Sequence, residues 1–300
     1  MRVDICRAFI HTRATSAPTS FIMSEATRRQ GLNKTPTTTS AIFSTSISSA
    51  SDQTKDIADT NVPARTINIL CLHGKGNNGP SFQEALRPLE ESLRNCKQTK
   101  QQHLSFQFEY ITAPFPMEAE QQQMQWWTLP PGVRSFNAKE YQGFEQSADK
   151  VMTELLQQEQ KYDFILGHSQ GAILLSALLT SKAWAEKEKE MNCHLVHYGY
   201  IFNGCAWPNP FTDEMERFQY ENLSTKEQQK EPQVLFVVGE KDRINPPEGA
   251  IRVRDTLLRG GMKEEMVETL THPGGHAVPV KNIDALEKMT NWIMNVVMNE

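Results

Sequence analysis

No stretch of this chain approaches the roughly 20 consecutive apolar residues that a membrane-spanning helix needs. The best candidate, Ala172 to Leu179, is short and bounded by polar residues, and reads as a buried helix. A basic stripe is missing as well. The net charge is -5 with both signs interspersed, so nothing could follow a phosphate backbone, and nucleic acid is excluded as a partner. Cysteine is scarce: Cys6, Cys71, Cys96, Cys193 and Cys205 are odd in number, scattered, and form no C-x-x-C pair. That argues against a disulfide framework and for a reducing compartment. His194 and His197 lack the further Cys, His or carboxylate ligands of a zinc site, so no metal is expected. The G-x-x-x-x-G-K-[ST] spacing of a phosphate-binding loop is also absent, and no internal repeat is visible.

What is present divides at about residue 62. Before it the chain is rich in Ser and Thr, with Arg2, Arg7, Arg13, Arg28, Arg29 and Lys34 against only Asp4 and Glu25 before Ser51. Such a segment buries too little apolar surface to fold alone. Residues 1–62 are therefore expected to be a disordered extension, and their basic, acid-poor composition also fits a transit peptide. The first reading leaves the protein cytoplasmic; the second sends it to a mitochondrion or plastid. Met23 as an internal start would shorten the extension.

Residues 63–300 change character. Short β-branched and aromatic runs alternate with helical periodicity, which predicts an α/β fold: a mostly parallel sheet of about six strands flanked by helices. The strands are expected at Ile67–Leu72, Phe106–Thr112, Phe164–Gly167, Tyr198–Asn203, Val234–Gly239 and Met266–Thr271. Helices are expected near Ser81–Asn95, Tyr141–Gln160, Gln170–Glu190, Pro247–Arg259 and Asn282–Val297. The third of these begins with residues apolar nearly all round, from Ala172 to Leu179, which places it centrally under its neighbours.

Gly167-His168-Ser169-Gln170-Gly171 lies between an expected strand and that apolar helix. G-x-S-x-G alone is a weak signal. In a strand-turn-helix context it describes a nucleophile elbow, in which small residues two positions either side let the backbone close around the serine. A serine hydroxyl needs a base to take its proton, and in this fold the acid and the base follow the serine in that order. Asp242, in the turn after the strand ending at Gly239, is the expected acid, with Glu240 its competitor. His276, directly after Gly274-Gly275, is the expected base, while His272 is expected at a strand end. Two N–H donors should receive the oxyanion. One is the backbone N–H of Gln170; the other is assigned to Lys75 in the glycine-rich loop after the first strand.

Together, Ile69-Leu70-Cys71-Leu72-His73-Gly74, Trp126-Trp127 followed by Tyr141-Gln142-Gly143, the elbow through Ala172, Gly239-Glu240-Lys241-Asp242, and Gly274-Gly275-His276-Ala277-Val278-Pro279 resemble a known group. It is the family of serine hydrolases that includes the yeast FSH proteins and the human ovarian-cancer-associated homologue. The resemblance runs from about Thr66 to the C-terminus. It implies an α/β-hydrolase fold, carboxylesterase-type activity on a small acyl ester or thioester, a triad of Ser169, Asp242 and His276, and no cofactor. His168 stands where related sequences often carry phenylalanine. Around the substrate pocket the reading places His73, Gly74, Trp126, Trp127 and His168, with one of the two tryptophans lining an acyl pocket and the other anchoring its loop. The segment from Pro114 to Tyr141 is expected to be a loop forming a partial cover, too short for a large helical lid. The oligomeric state is left open, and an acyl-protein thioesterase or a non-catalytic ligand receptor on the same fold are the rival readings.

Overall fold

The computed structural model describes residues 65–117, 120–157, 161–220 and 230–299. The expected extension over 1–62 lies outside them. Eight strands follow in chain order: β1 (Arg65–Leu72), β2 (Leu104–Ile111), β3 (Phe115–Met117), β4 (Glu120–Gln125), β5 (Phe164–His168), β6 (Gly199–Asn203), β7 (Gln233–Gly239) and β8 (Val267–His272). Six of them form one sheet in the order β2-β1-β5-β6-β7-β8, every neighbouring pair parallel. The carboxyl ends of these strands therefore share one edge. The order reverses between β1 and β5, the crevice where open sheets of this kind bind ligands.

The central strands carry near-continuous apolar runs because both faces are covered. Leu70, Leu72, Ile165, Phe202 and Phe236 face one core together with helix α3 (Phe144–Gln157) and helix α4 (Gln170–Leu179). Ile67, Ile69, Cys71, Phe164, Leu166 and Leu235 face another with helix α1 (Gly79–Asn95) and the last helix, Ile283–Met298. Every residue of α4 is buried, as its all-round apolar sequence requires. Among the described residues, no helix is long and apolar enough to cross a membrane.

Four features depart from the sequence reading. The helix expected over Gln170–Glu190 is two helices, α4 and a second at Lys182–Met191. The hydroxyls of Thr180 and Ser181 donate to the carbonyls of Ser176 and Leu178, and Ser181 turns to an extended conformation and caps the second helix by accepting from the Trp184 N–H. Side-chain hydroxyls here compete with the helix for its own backbone groups. Second, the segment after Pro114 is not simply a loop: β3 and β4 pair as an antiparallel hairpin, followed by a 3-10 turn at Ser135–Asn137. Third, the helix expected from Tyr141 starts at Phe144, because Gly143 takes φ 83° and its missing side chain makes room for the Phe115 ring. Short helices at Lys97–Gln101 and Thr212–Arg217 were not expected either.

Candidate active site

Ser169 follows the last residue of β5 with φ 53° and ψ -115°, a conformation that costs a side-chain-bearing residue energy and persists only where surrounding structure imposes it. The imposition comes from close packing. A Cβ on Gly171 would lie 2.2 Å from the Leu72 carbonyl oxygen, and one on Gly167 would lie 2.7 Å from the Ala172 Cα. The Ser169 N–H donates to the Asn203 carbonyl at 3.0 Å, tying the elbow to the end of β6. Because the obstacle at Gly171 is backbone, Gly171→Ala should cost about 2–3 kcal/mol as an overpacking change. The check is the urea midpoint of the variant; an unchanged midpoint would mean that α4 has room to move off β1.

The Ser169 hydroxyl makes no helix-capping bond. It lies 2.8 Å from His276 Nε2, and His276 Nδ1 lies 2.6 Å from Asp242 Oδ2. The other carboxylate oxygen, Oδ1, accepts from the backbone N–H groups of Ile244 and Asn245 at 2.8 and 2.9 Å. Asp242 is thus buried and orientated from both sides. Glu240 is exposed, and its N–H donates to the His272 carbonyl; it takes no part in this chain. His272, the last residue of β8, is buried, accepts from the Gly274 N–H at 3.2 Å, and has its pKa lowered by burial. Chemically, such a chain lets the imidazole take the hydroxyl proton while the carboxylate balances the resulting charge.

The loop after β1 meets the elbow at Gly74, where a Cβ would lie 2.9 Å from His168 Cδ2 and 3.0 Å from Ser169 Cβ. The next backbone N–H, that of Lys75, and the N–H of Gln170 have no backbone acceptor among the described residues. His73 is fully buried and faces no solvent: Nδ1 donates to the Gly74 carbonyl at 2.8 Å and Nε2 accepts from the Ala113 N–H at 2.9 Å. Burial lowers its pKa to about 4, so it supports the loop as a neutral ring. The loop is also joined to the hairpin, since Gly76 N–H donates to the Met124 carbonyl and Met124 N–H donates to the Asn77 carbonyl, each at 2.9 Å.

Neither tryptophan lines an open pocket, which corrects the sequence reading. Both are fully buried. Trp127 stacks on Tyr141 with ring centroids 4.3 Å apart, and Trp126 Nε1 donates to the His73 carbonyl at 2.7 Å. The Gln170 side chain holds the pair from the other side, its Oε1 accepting from the Trp126 N–H at 2.9 Å and its Nε2 donating to the Trp127 carbonyl at 3.3 Å. Aromatic bulk here brings the hairpin end and the elbow into one rigid unit. Half-buried apolar residues of this segment that pack against the core are Met124, Leu129, Val133 and Phe136.

Two asparagines next to the Ser169–His276–Asp242 chain escaped the sequence reading. Asn203 ends β6 beside His168 in register, and Asn245 Nδ2 donates to the Gly204 carbonyl at 2.7 Å. Gly204 itself has φ 56°, and a Cβ there would lie 3.0 Å from the His276 ring. The only hint in the sequence is the Asn203-Gly204 pair closing an apolar strand, which marks a turn without saying what it supports.

The model of the family described as serine hydrolase (FSH1) matches residues 63–286. The chain belongs to this family. It is therefore an enzyme of the serine hydrolase class, and the resemblance read from its motifs holds. Among curated relatives, the esterase OVCA2 of Danio rerio is 30% identical over 240 residues, covering 73% of this chain and 91% of the relative. Solved structures share the α/β-hydrolase fold. A variant of Arabidopsis thaliana SOBER1 superposes with a TM-score of 0.52 at 21% identity, covering 77% of this chain and 99% of the other. Zea mays acyl-protein thioesterase 2 gives 0.52 at 16% identity, covering 78% and 94%.

Proposed function

We propose that this serine hydrolase cleaves small acyl esters through a covalent acyl-enzyme on Ser169. The observation that carries the reading is the Ser169–His276–Asp242 chain, with separations of 2.8 and 2.6 Å, built on a serine held at φ 53°. His276 takes the hydroxyl proton as Oγ attacks the carbonyl, and Asp242 stabilises the imidazolium. The backbone N–H groups of Lys75 and Gln170 receive the oxyanion, His276 returns the proton to the leaving alcohol, and water resolves the ester by the reverse route. Relatives named as esterases support an oxygen ester as the substrate bond.

Chain-length preference follows from the cover. A hairpin and a 3-10 turn stand where a lipase would carry a helical lid, and Met124, half-buried, is hydrogen-bonded through its backbone to the oxyanion loop. The acyl group should rest against it and its half-buried neighbours, each buried Å² contributing roughly 25 cal/mol. Over a series of p-nitrophenyl esters, kcat/KM should peak at short to medium length and fall for the longest chains, and Met124→Ala should move the optimum toward longer chains. A steady rise through the longest chains with activation on emulsions would overturn this reading. Matched thioesters run beside the esters would reveal a thioesterase, and tight binding without turnover of either would reveal a ligand receptor.

A further inference from the structure

Asn203 occupies the junction between the elbow and the base loop. It is almost fully buried at the end of β6. Its carbonyl accepts from the Ser169 N–H at 3.0 Å, while its side-chain Nδ2 donates to His168 Nδ1 at 2.8 Å and to the His276 carbonyl at 3.5 Å. In this orientation Nδ2 faces the His276 carbonyl as a donor, whereas the opposite one would set Oδ1 against it, two acceptors face to face. The cost is visible: Oδ1 is buried with no hydrogen-bond partner. A buried amide that leaves its acceptor unsatisfied is kept for its donor.

We propose that Asn203 is a positioning residue for the reaction, its amide locking the His276 loop and the His168 ring to the strand end that also holds the Ser169 backbone. The inference rests on Ser169 and His276 being nucleophile and base. His168 takes part as the middle piece. With Asn203 Nδ2 as the donor, its Nδ1 accepts and its proton sits on Nε2; the ring stacks on Phe82 at 5.9 Å and lies 5.0 Å from the His276 ring. The titratable groups facing it are His276 from the loop after β8 and His73 from the loop after β1; Asp242 reaches it only through His276. Burial, and the charge His276 acquires, lower the pKa of His168 to about 3. The ring therefore stays neutral when the base is protonated and adds no second positive charge beside it.

Steady-state kinetics and pH–rate profiles of Asn203→Ala, Asn203→Asp, His168→Phe and the Asn203→Ala/His168→Phe double variant test this. For Asn203→Ala, kcat should fall on the order of 10–100-fold with KM changed by no more than about threefold, the signature of a misplaced base. The double variant should be no worse than Asn203→Ala alone, because both substitutions cut the same link. Asn203→Asp places a carboxylate against the His168 imidazole, whose ring lies 5.0 Å from that of His276, and the added negative charge favours the protonated form of the base, so the acid limb of kcat/KM should move to higher pH. A merely structural asparagine would lower stability on replacement by alanine without lowering kcat at constant KM. If Asn203→Ala fails to fold, the aspartate and phenylalanine variants decide alone. A kcat/KM profile for Asn203→Asp superimposable on the parent's, with kcat for Asn203→Ala or His168→Phe within about twofold of it, overturns the inference. Fluorophosphonate labelling separates the two levels: an unlabelled Ser169 in the parent enzyme sinks the triad itself, whereas a labelled parent with equally fast Asn203 variants sinks only the positioning role.

Discussion

Ser169→Ala and His276→Ala should each lower kcat on the order of 10⁴–10⁶-fold, because members of a triad act as a unit and removing either disables the whole. Without Oγ there is no nucleophile, and without the imidazole 2.8 Å away the hydroxyl keeps its proton. The two losses should also fail to add in the double variant. Labelling with a fluorophosphonate gives an independent readout, since only a base-activated hydroxyl reacts quickly. The parent should label at Ser169 and neither variant should label there. Equal labelling of Ser169→Ala would place the nucleophile elsewhere.

Asp242→Asn should cost about 10⁴ in kcat with the fold intact. The reason lies in which oxygen does what. Oδ1 is committed to the N–H groups of Ile244 and Asn245, so an asparagine would keep its carbonyl oxygen there and turn its NH₂ toward His276 Nδ1. The ring would then accept at Nδ1 and carry its proton on Nε2, where it must instead take one from Ser169. Glu240→Gln, on an exposed side chain outside the hydrogen-bonded chain, should stay within a few-fold of the parent, as surface substitutions usually do. Full activity in Asp242→Asn together with a large loss in Glu240→Gln would move the acid to Glu240.

All six strands of the sheet were legible: central strands because a strand covered on both faces must be apolar without interruption, as Phe164–Leu166 and Val234–Val238 are, and the edge strands β2 and β8 as short runs of aromatic or β-branched residues alternating with polar ones. Ser169, Asp242 and His276 were singled out by their order and by their position after strands, and the parallel sheet brings them within hydrogen-bond distance by putting all those strand ends on one edge. The hairpin was invisible for the opposite reason. β4 reads Glu120-Gln-Gln-Gln-Met-Gln125, with no alternation to mark a face, and it is a strand only because β3 and the oxyanion loop bond to it. Trp126 and Trp127 were read as a pocket because aromatic bulk in a loop looks available to ligand. Their partners, Tyr141, Phe144, the His73 carbonyl and the Gln170 amide, become neighbours only once the chain is folded. Asn203 was missed likewise: an asparagine closing a strand looks the same whether it merely ends pairing or holds a base in place.

The left-handed backbone at Ser169 also sets reactivity and durability against each other. Glycine would relax that conformation but carries no nucleophile, and every residue that offers a side chain there keeps the strain. On the proposed mechanism this position therefore cannot be improved for thermal endurance without ending catalysis, and any gain in robustness has to be found elsewhere in the chain. The glycines at 167 and 171 are caught in the same bargain, since the tight helix–strand contact that enforces the strain has no room for a methyl group at either site. Selection on turnover and selection on longevity would leave opposite marks on this one turn.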